Sequence, residues 1–167
     1  MERPVDFVAH SASPADTAAI AEALAALVVA GDVIVLGGDL GAGKTALTKA
    51  FGAALEVTEI ITSPTFTLAQ RYDTGRLVLH HLDVYRIDQI EEVIDLALPE
   101  LFESGGVVVI EWGDTIEPAL PPKYLHVQIG FGEGPDDRAL SFTGLGAPWH
   151  ARLTQLSKTL CDRAAPC

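Results

Sequence analysis

Asparagine is missing altogether from this 167-residue sequence, cysteine occurs twice, and Lys plus Arg number 11 against 23 Asp plus Glu. The resulting net charge, 11 − 23 = −12, excludes a free-standing module that grips nucleic acid, because that grip rests on Lys and Arg displacing counterions from phosphates. Work inside a complex that handles nucleic acid stays compatible with it. Without asparagine there is no Asn-Lys-x-Asp motif, the usual guanine reader of GTPase-type switches. Long apolar runs are also lacking. The longest, Ala18 to Ala30, is interrupted by Glu22 and falls short of the ~20 residues of a membrane span. Met1–Asp6 lacks the basic flank and apolar run of a secretory signal, so a cytoplasmic protein without membrane contact is expected. Cys161 and Cys167 both fall near the carboxyl end. Neither a spread disulfide framework nor a zinc site is expected from them, and both read as free thiols.

What the sequence does contain is 49% hydrophobic residues, enough for a folded core in a single domain over residues 1–167. Val5–Val8 reads as a short first strand. Ser13-Pro14-Ala15-Asp16 reads as a helix start, with Ser13 as N-cap and Pro14 at the first helical position. Ile20, Leu24, Leu27 and Val28 follow at helical spacing, with Gly31-Asp32 as the stop. Val33–Leu36 and Val107–Ile110 are apolar runs suited to strands covered on both faces. A second helix is expected from Lys44, and a hairpin from Thr67 to Leu82 turning at Asp73-Thr74-Gly75. Asp88–Glu103 carries six acids and no base; it reads as a helix with a solvated acidic face, broken at Pro99. Alternation in Leu125, Val127, Ile129 and in Leu140, Phe142 predicts two strands paired across 130–137. Trp149, Leu153, Leu156 and Leu160 mark a closing amphipathic helix of about 147–163. The predicted class is a three-layer α/β domain, its parallel core sheet extended by antiparallel strands.

Gly38-Asp39-Leu40-Gly41-Ala42-Gly43-Lys44-Thr45 fits G-x-x-x-x-G-K-[ST] at every fixed position. The glycines let the loop curl so that its N–H groups point at phosphate oxygens, and the helix that follows turns its positive end toward the same anion. Lys44 is expected to reach the β- and γ-phosphates, and the Thr45 hydroxyl to ligate Mg²⁺. The strand before the motif and the helix after it are the context it requires. A nucleoside triphosphate site is the conclusion.

Mg²⁺ needs further oxygen ligands, commonly a carboxylate at the end of a neighbouring strand. Glu111 ends one apolar run and Asp83 ends another. One suits the metal and the other the orientation of a nucleophile, with the assignment open at this point. His80 and His81 sit side by side on a strand and point to opposite faces, so they cannot chelate one ion together. His81 shares its face with Asp83, which suits a supporting role. Ser63-Pro64-Thr65-Phe66 follows the P-loop helix, where a hydroxyl can approach the γ-phosphate, and Trp112 packs either on nucleotide or on core.

These four blocks, Gly38–Thr45, Ser63-Pro64-Thr65-Phe66-Thr67-Leu68, His81-Leu82-Asp83-Val84-Tyr85-Arg86 and Ile110-Glu111-Trp112, resemble the TsaE family in content and order. TsaE proteins are bacterial ATPases of tRNA threonylcarbamoyladenosine synthesis. The resemblance runs from Ser13 to about Phe142. It implies an ATP- and Mg²⁺-dependent hydrolase, slow alone, that works with the TsaB and TsaD proteins and resets their complex between rounds of modification of adenosine 37 in ANN-decoding tRNAs. It further implies that Thr45 and Glu111 hold the metal, with Asp83 a possible third ligand, and that Asp83 serves hydrolysis together with Lys44 and Glu111. Gly38 to Ala46 would bind the nucleotide, Ser63-Pro64-Thr65 would form a switch-like segment, and Ser13, Thr17 and Trp112 would lie near it. Many family members have a second Thr where this chain has Ala46. The segment after Trp112 matches poorly and receives no role.

An alternative is a small-molecule kinase of the same superfamily, with Asp83 as base toward an acceptor hydroxyl. Such kinases commonly close an arginine-bearing lid, and the later chain offers only Arg138, Arg152 and Arg163. Acidity then becomes a candidate docking surface, with the Asp88–Glu103 face as the first choice and tRNA contact left to the partners.

Overall fold

A computed structural model of the chain describes residues 4–64, 67–87 and 97–162. Seven strands form one sheet in the order β1-β7-β6-β2-β5-β4-β3. They are β1 (Phe7–Ser11), β2 (Val33–Gly37), β3 (Ala69–Tyr72), β4 (Leu79–Asp83), β5 (Val107–Glu111), β6 (Tyr124–Phe131) and β7 (Arg138–Leu145). The helices are α1 (Pro14–Ala25), α2 (Lys44–Ala54), α3 (Leu98–Glu103) and α4 (Ala147–Asp162), with a 3-10 segment over Gly113–Ala119. Strands β6, β2, β5 and β4 run parallel, while β3 pairs antiparallel with β4, β7 with β6 and β1 with β7. The expected parallel core with antiparallel extensions is therefore present.

The β-branched run Val33-Ile34-Val35-Leu36 is buried at every position and sits at the sheet's centre, as a strand covered on both faces requires. One face carries the larger core. Ile34, Leu36, Val127 and Phe142 pack there with Leu24 of α1, Leu47 and Phe51 of α2, and Trp149, Leu153 and Leu156 of α4. On the other face Val33, Val35, Val108 and Ile110 meet Leu98 of α3 and Ile116 of the 3-10 segment. Helix α4 is tied down by Arg152, which donates from Nη2 to Asp32 Oδ1 at 3.1 Å and lies 3.9 Å above the Trp149 ring.

Several expectations shift. The first strand is Phe7–Ser11 rather than Val5–Val8, because β7 offers partners as far as Arg138 and the Asp6 carboxylate instead accepts from Gly144 N at 2.7 Å. Helix α1 ends at Ala25, ahead of the expected Gly31-Asp32 stop; Leu27 follows in a turn and Val28 in irregular chain. Pro99 stands in the first turn of α3, where a missing N–H costs nothing. Residues 88–96 of the expected acidic helix lie outside the described residues. Cys161 is disulfide-bonded, which corrects the expected free thiol; Cys167 and Arg163 lie outside the described residues. No helix among the described residues is long and apolar enough to cross a membrane.

Candidate functional site

The glycine-rich loop leaves the end of β2 and enters α2. Gly43, the residue before α2, has φ 113°, and Gly38 has φ 138°, both in the left-handed region that favours glycine. A Cβ on Gly38 would lie 2.5 Å from the Ile129 carbonyl oxygen, so the loop also needs glycine there to pass β6. Leu40 at the tip is exposed.

Lys44 is only 5% exposed. Its Nζ donates to Gly38 O at 2.7 Å and Asp39 O at 3.0 Å and stands 3.9 Å from the Trp112 ring centroid. Burial pushes the ammonium below the usual lysine range, opposed by the nearby carboxylates of Glu111, Asp83, Asp114 and Asp39. One position on, Thr45 Oγ1 donates to the Glu111 carboxylate at 2.9 Å to Oε1 and 3.2 Å to Oε2.

Strands β4 and β5 put Asp83 and Glu111 directly side by side in the parallel ladder. Both are buried. Asp83 accepts from Ser63 Oγ at 3.3 Å and from Tyr85 N at 3.0 Å. Two residues before Asp83 on the same face, His81 is fully buried and its Nε2 contacts Glu111 Oε2. His80 points the other way and meets Ser104 Oγ at 3.0 Å, as the strand parity predicts. Trp112 follows Glu111 at φ 63°, an uncommon conformation for a bulky residue, with its N–H on Leu36 O at 2.9 Å and its ring 4.8 Å from that of Tyr85.

On the other side of the loop a cavity of about 190 Å³ lies between the start of α1, the start of α2 and the β6–β7 hairpin. Ser13, Thr17, Ala42, Gly43 and Ala46 line it, together with Arg138. The structure thus gathers the loop, Ser13 and Thr17 about one space, and Ser63, Asp83, Glu111 and Trp112 about the other end of Lys44 and Thr45. Ser63 and Pro64 are described; Thr65 lies outside the described residues.

Arg138 was missed as a site residue. Its Nε donates to Ala42 O at 2.9 Å and its Nη1 to Pro135 O at 2.9 Å and Asp137 O at 2.8 Å. No local pattern announces it, because the contact joins the loop to a hairpin 96 residues away. Three hard oxygen-bearing groups, the Thr45 hydroxyl and the carboxylates of Glu111 and Asp83, thus meet at the start of α2. This donor set fits Mg²⁺, although no group of three His, Cys, Asp or Glu with metal-holding geometry occurs among the described residues.

A sequence model of the family described as "Threonylcarbamoyl adenosine biosynthesis protein TsaE" matches residues 11–139. The chain is 43% identical over 149 residues to the tRNA threonylcarbamoyladenosine biosynthesis protein TsaE of Bacillus subtilis, covering 89% of this chain and 92% of that one. It is 40% identical over 134 residues to the protein of the same name from Streptomyces coelicolor, covering 75% and 88%. Among solved structures, the crystal structure of YdiB from B. subtilis superposes with a TM-score of 0.78 at 37% identity, over 92% of this chain and 95% of that one.

Proposed function

The chain belongs to the TsaE family, whose role is in tRNA threonylcarbamoyladenosine biosynthesis, and on that premise we propose that it is the Mg²⁺-dependent ATPase of that process. In this reading it hydrolyses ATP together with TsaB and TsaD and resets their complex between rounds of adenosine 37 modification. It is slow alone, contacts tRNA only through its partners and acts in the cytoplasm.

The observation that carries the reading is the meeting of Lys44, Thr45, Glu111 and Asp83 at the junction of the glycine-rich loop and α2. Backbone N–H groups of the loop and the first turn of α2 hold the phosphates, and Lys44 releases the Gly38 and Asp39 carbonyls to reach the β- and γ-phosphoryl groups. Thr45 and Glu111 would hold Mg²⁺, whose positive charge would offset the negative charge that develops on the phosphoryl oxygens. The bond between Thr45 and Glu111 supports giving the metal to that pair. Asp83, next to Glu111 and hydrogen-bonded to Ser63 and Tyr85, then orients the attacking water and takes its proton as the bond from the γ-phosphorus to ADP breaks. The cavity beside Ser13, Thr17 and Ala46 supports a site for the adenine, walled by Arg138.

Measuring ATP turnover of the chain alone and with the TsaB–TsaD pair tests this. Slow turnover that rises with both partners is expected; equal turnover in the two conditions contradicts it.

A further inference from the structure

A carboxylate that takes a proton from water needs a defined plane, and an aspartate side chain does not supply one by itself, because its last torsion is broad and roughly two-fold. Asp83 closes β4 at 5% exposure. Its Oδ1 accepts from Tyr85 N at 3.0 Å, a bond across two residues that an aspartate readily makes with its own chain. A bond of that kind holds one oxygen. A plane is fixed when a second donor holds the other, and Oδ2 of Asp83 accepts from Ser63 Oγ at 3.3 Å, from 20 residues away in the sequence.

Ser63 is itself kept in register with Asp83 by the backbone. Pro64 is buried beside it, fixes its own φ and biases Ser63 toward extended chain. The Pro64 carbonyl accepts from Leu68 N at 2.7 Å, and the Leu68 carbonyl accepts from Asp83 N at 3.0 Å. Leu68 has φ 65°, a left-handed conformation that is rare for leucine and persists only where the surrounding bonds impose it. Asp83 is therefore held at two points, at its amide by Leu68 and at its carboxylate by Ser63. Ser63 is nonetheless exposed, so its hydroxyl adds little to the packed core. What it supplies is orientation.

We propose that Ser63 is a positioning residue for ATP cleavage: its hydroxyl fixes the plane of the Asp83 carboxylate, so that the attacking water meets its base in one orientation. Ser63 keeps its own proton, and the proton of the water goes to Asp83. A base works only within hydrogen-bond reach of the proton it takes, and a misplacement of about 1 Å can slow a reaction by about 10²-fold. The inference rests on the proposed role of Asp83 in hydrolysis.

The test is single-turnover ATP cleavage in the complex with TsaB and TsaD, for the unaltered chain, Ser63→Ala, Ser63→Thr, Asp83→Asn and the double variant Ser63→Ala with Asp83→Asn. Ser63→Ala slows cleavage by roughly 10- to 30-fold, a part of what loss of the base costs, and Ser63→Thr, which keeps the hydroxyl, recovers most of it. Binding of Mg²⁺ with a non-hydrolysable ATP analogue stays within about twofold in both Ser63 variants, so the loss falls on the rate. In the Asp83→Asn background Ser63→Ala slows cleavage by less than about twofold, because the two residues act as one unit. A purely structural serine would slow both backgrounds equally, and that result overturns the inference. Cleavage at the unaltered rate in Ser63→Ala, or nucleotide binding lost in step with cleavage, overturns it as well and leaves the role of Asp83 standing. If Asp83→Asn alone cleaves at the unaltered rate, the functional reading of Asp83 falls and the role of Ser63 with it.

Discussion

His81 and Glu111 touch across neighbouring strands: the Nε2 of a fully buried imidazole meets the Oε2 of the carboxylate that also accepts the Thr45 hydroxyl. The contact fixes Glu111 from behind, leaving its orientation toward Thr45 little freedom. The other ring nitrogen, Nδ1, is buried with no hydrogen-bond partner among the described residues, so the ring is held by its Nε2 contact with Glu111. His81→Leu is expected to weaken metal affinity in the nucleotide complex by roughly 10- to 100-fold, the usual cost of losing a group that orients a ligand. His81→Gln should recover part of it. Titration with Mn²⁺ followed by electron paramagnetic resonance reads this directly, and nucleotide affinity without metal should stay unchanged.

Arg138 ties the β6–β7 hairpin to the Ala42 carbonyl. Arg138→Ala removes charge-assisted bonds worth about 1–2 kcal/mol together, so ATP affinity should fall about tenfold, with Asp83 and Glu111 untouched. Equilibrium titration with a fluorescent ATP analogue checks this. An unchanged affinity would mean that the loop holds its shape without the hairpin.

Arg152 and Asp32 form an ion pair whose side chains are 19% and 8% exposed. Arg152→Ala strands the Asp32 carboxylate in a largely dry site and frees the Trp149 face of α4. A loss of about 3 kcal/mol in unfolding free energy is expected, measured by urea denaturation, with nucleotide binding retained.

His80 carries a pH dependence. Burial first, and the Arg71 charge second, hold its pKa below the ordinary 6.5. The unfolded chain therefore binds the proton more readily than the folded one, and stability rises with pH across that interval. The contribution is fully present above about pH 6.5 and is lost as pH falls through the lowered value. Thermal melts between about pH 7.5 and 5.5 should show a shallower decline for His80→Gln than for the unaltered protein.

Legibility followed distance along the chain. The loop from Gly38 to Thr45 and the apolar strand before it were readable because their chemistry needs fixed spacing and local turns. Asp83 and Glu111 were readable as strand ends, and the opposite directions of His80 and His81 followed from strand parity alone. Their alignment was not readable, since only the β4–β5 register brings Asp83 beside Glu111, and this is what separates the two carboxylates by partner. Arg138 escaped because its bond to Ala42 depends on how the last hairpin folds over the loop. Pro99 is found in the first turn of a short helix, a place that suits a proline as well as a helix stop does. The left-handed Trp112 had no signal at all in a tryptophan side chain.

The central claim is that Glu111 serves the metal while Asp83 serves the water, and Asp83→Asn in the complex with TsaB and TsaD tests it most directly. Binding of Mg²⁺ with a non-hydrolysable ATP analogue should stay within about twofold, while single-turnover ATP cleavage falls by roughly 10²- to 10⁴-fold. Cleavage at the unaltered rate, or binding lost in parallel with cleavage, would contradict it.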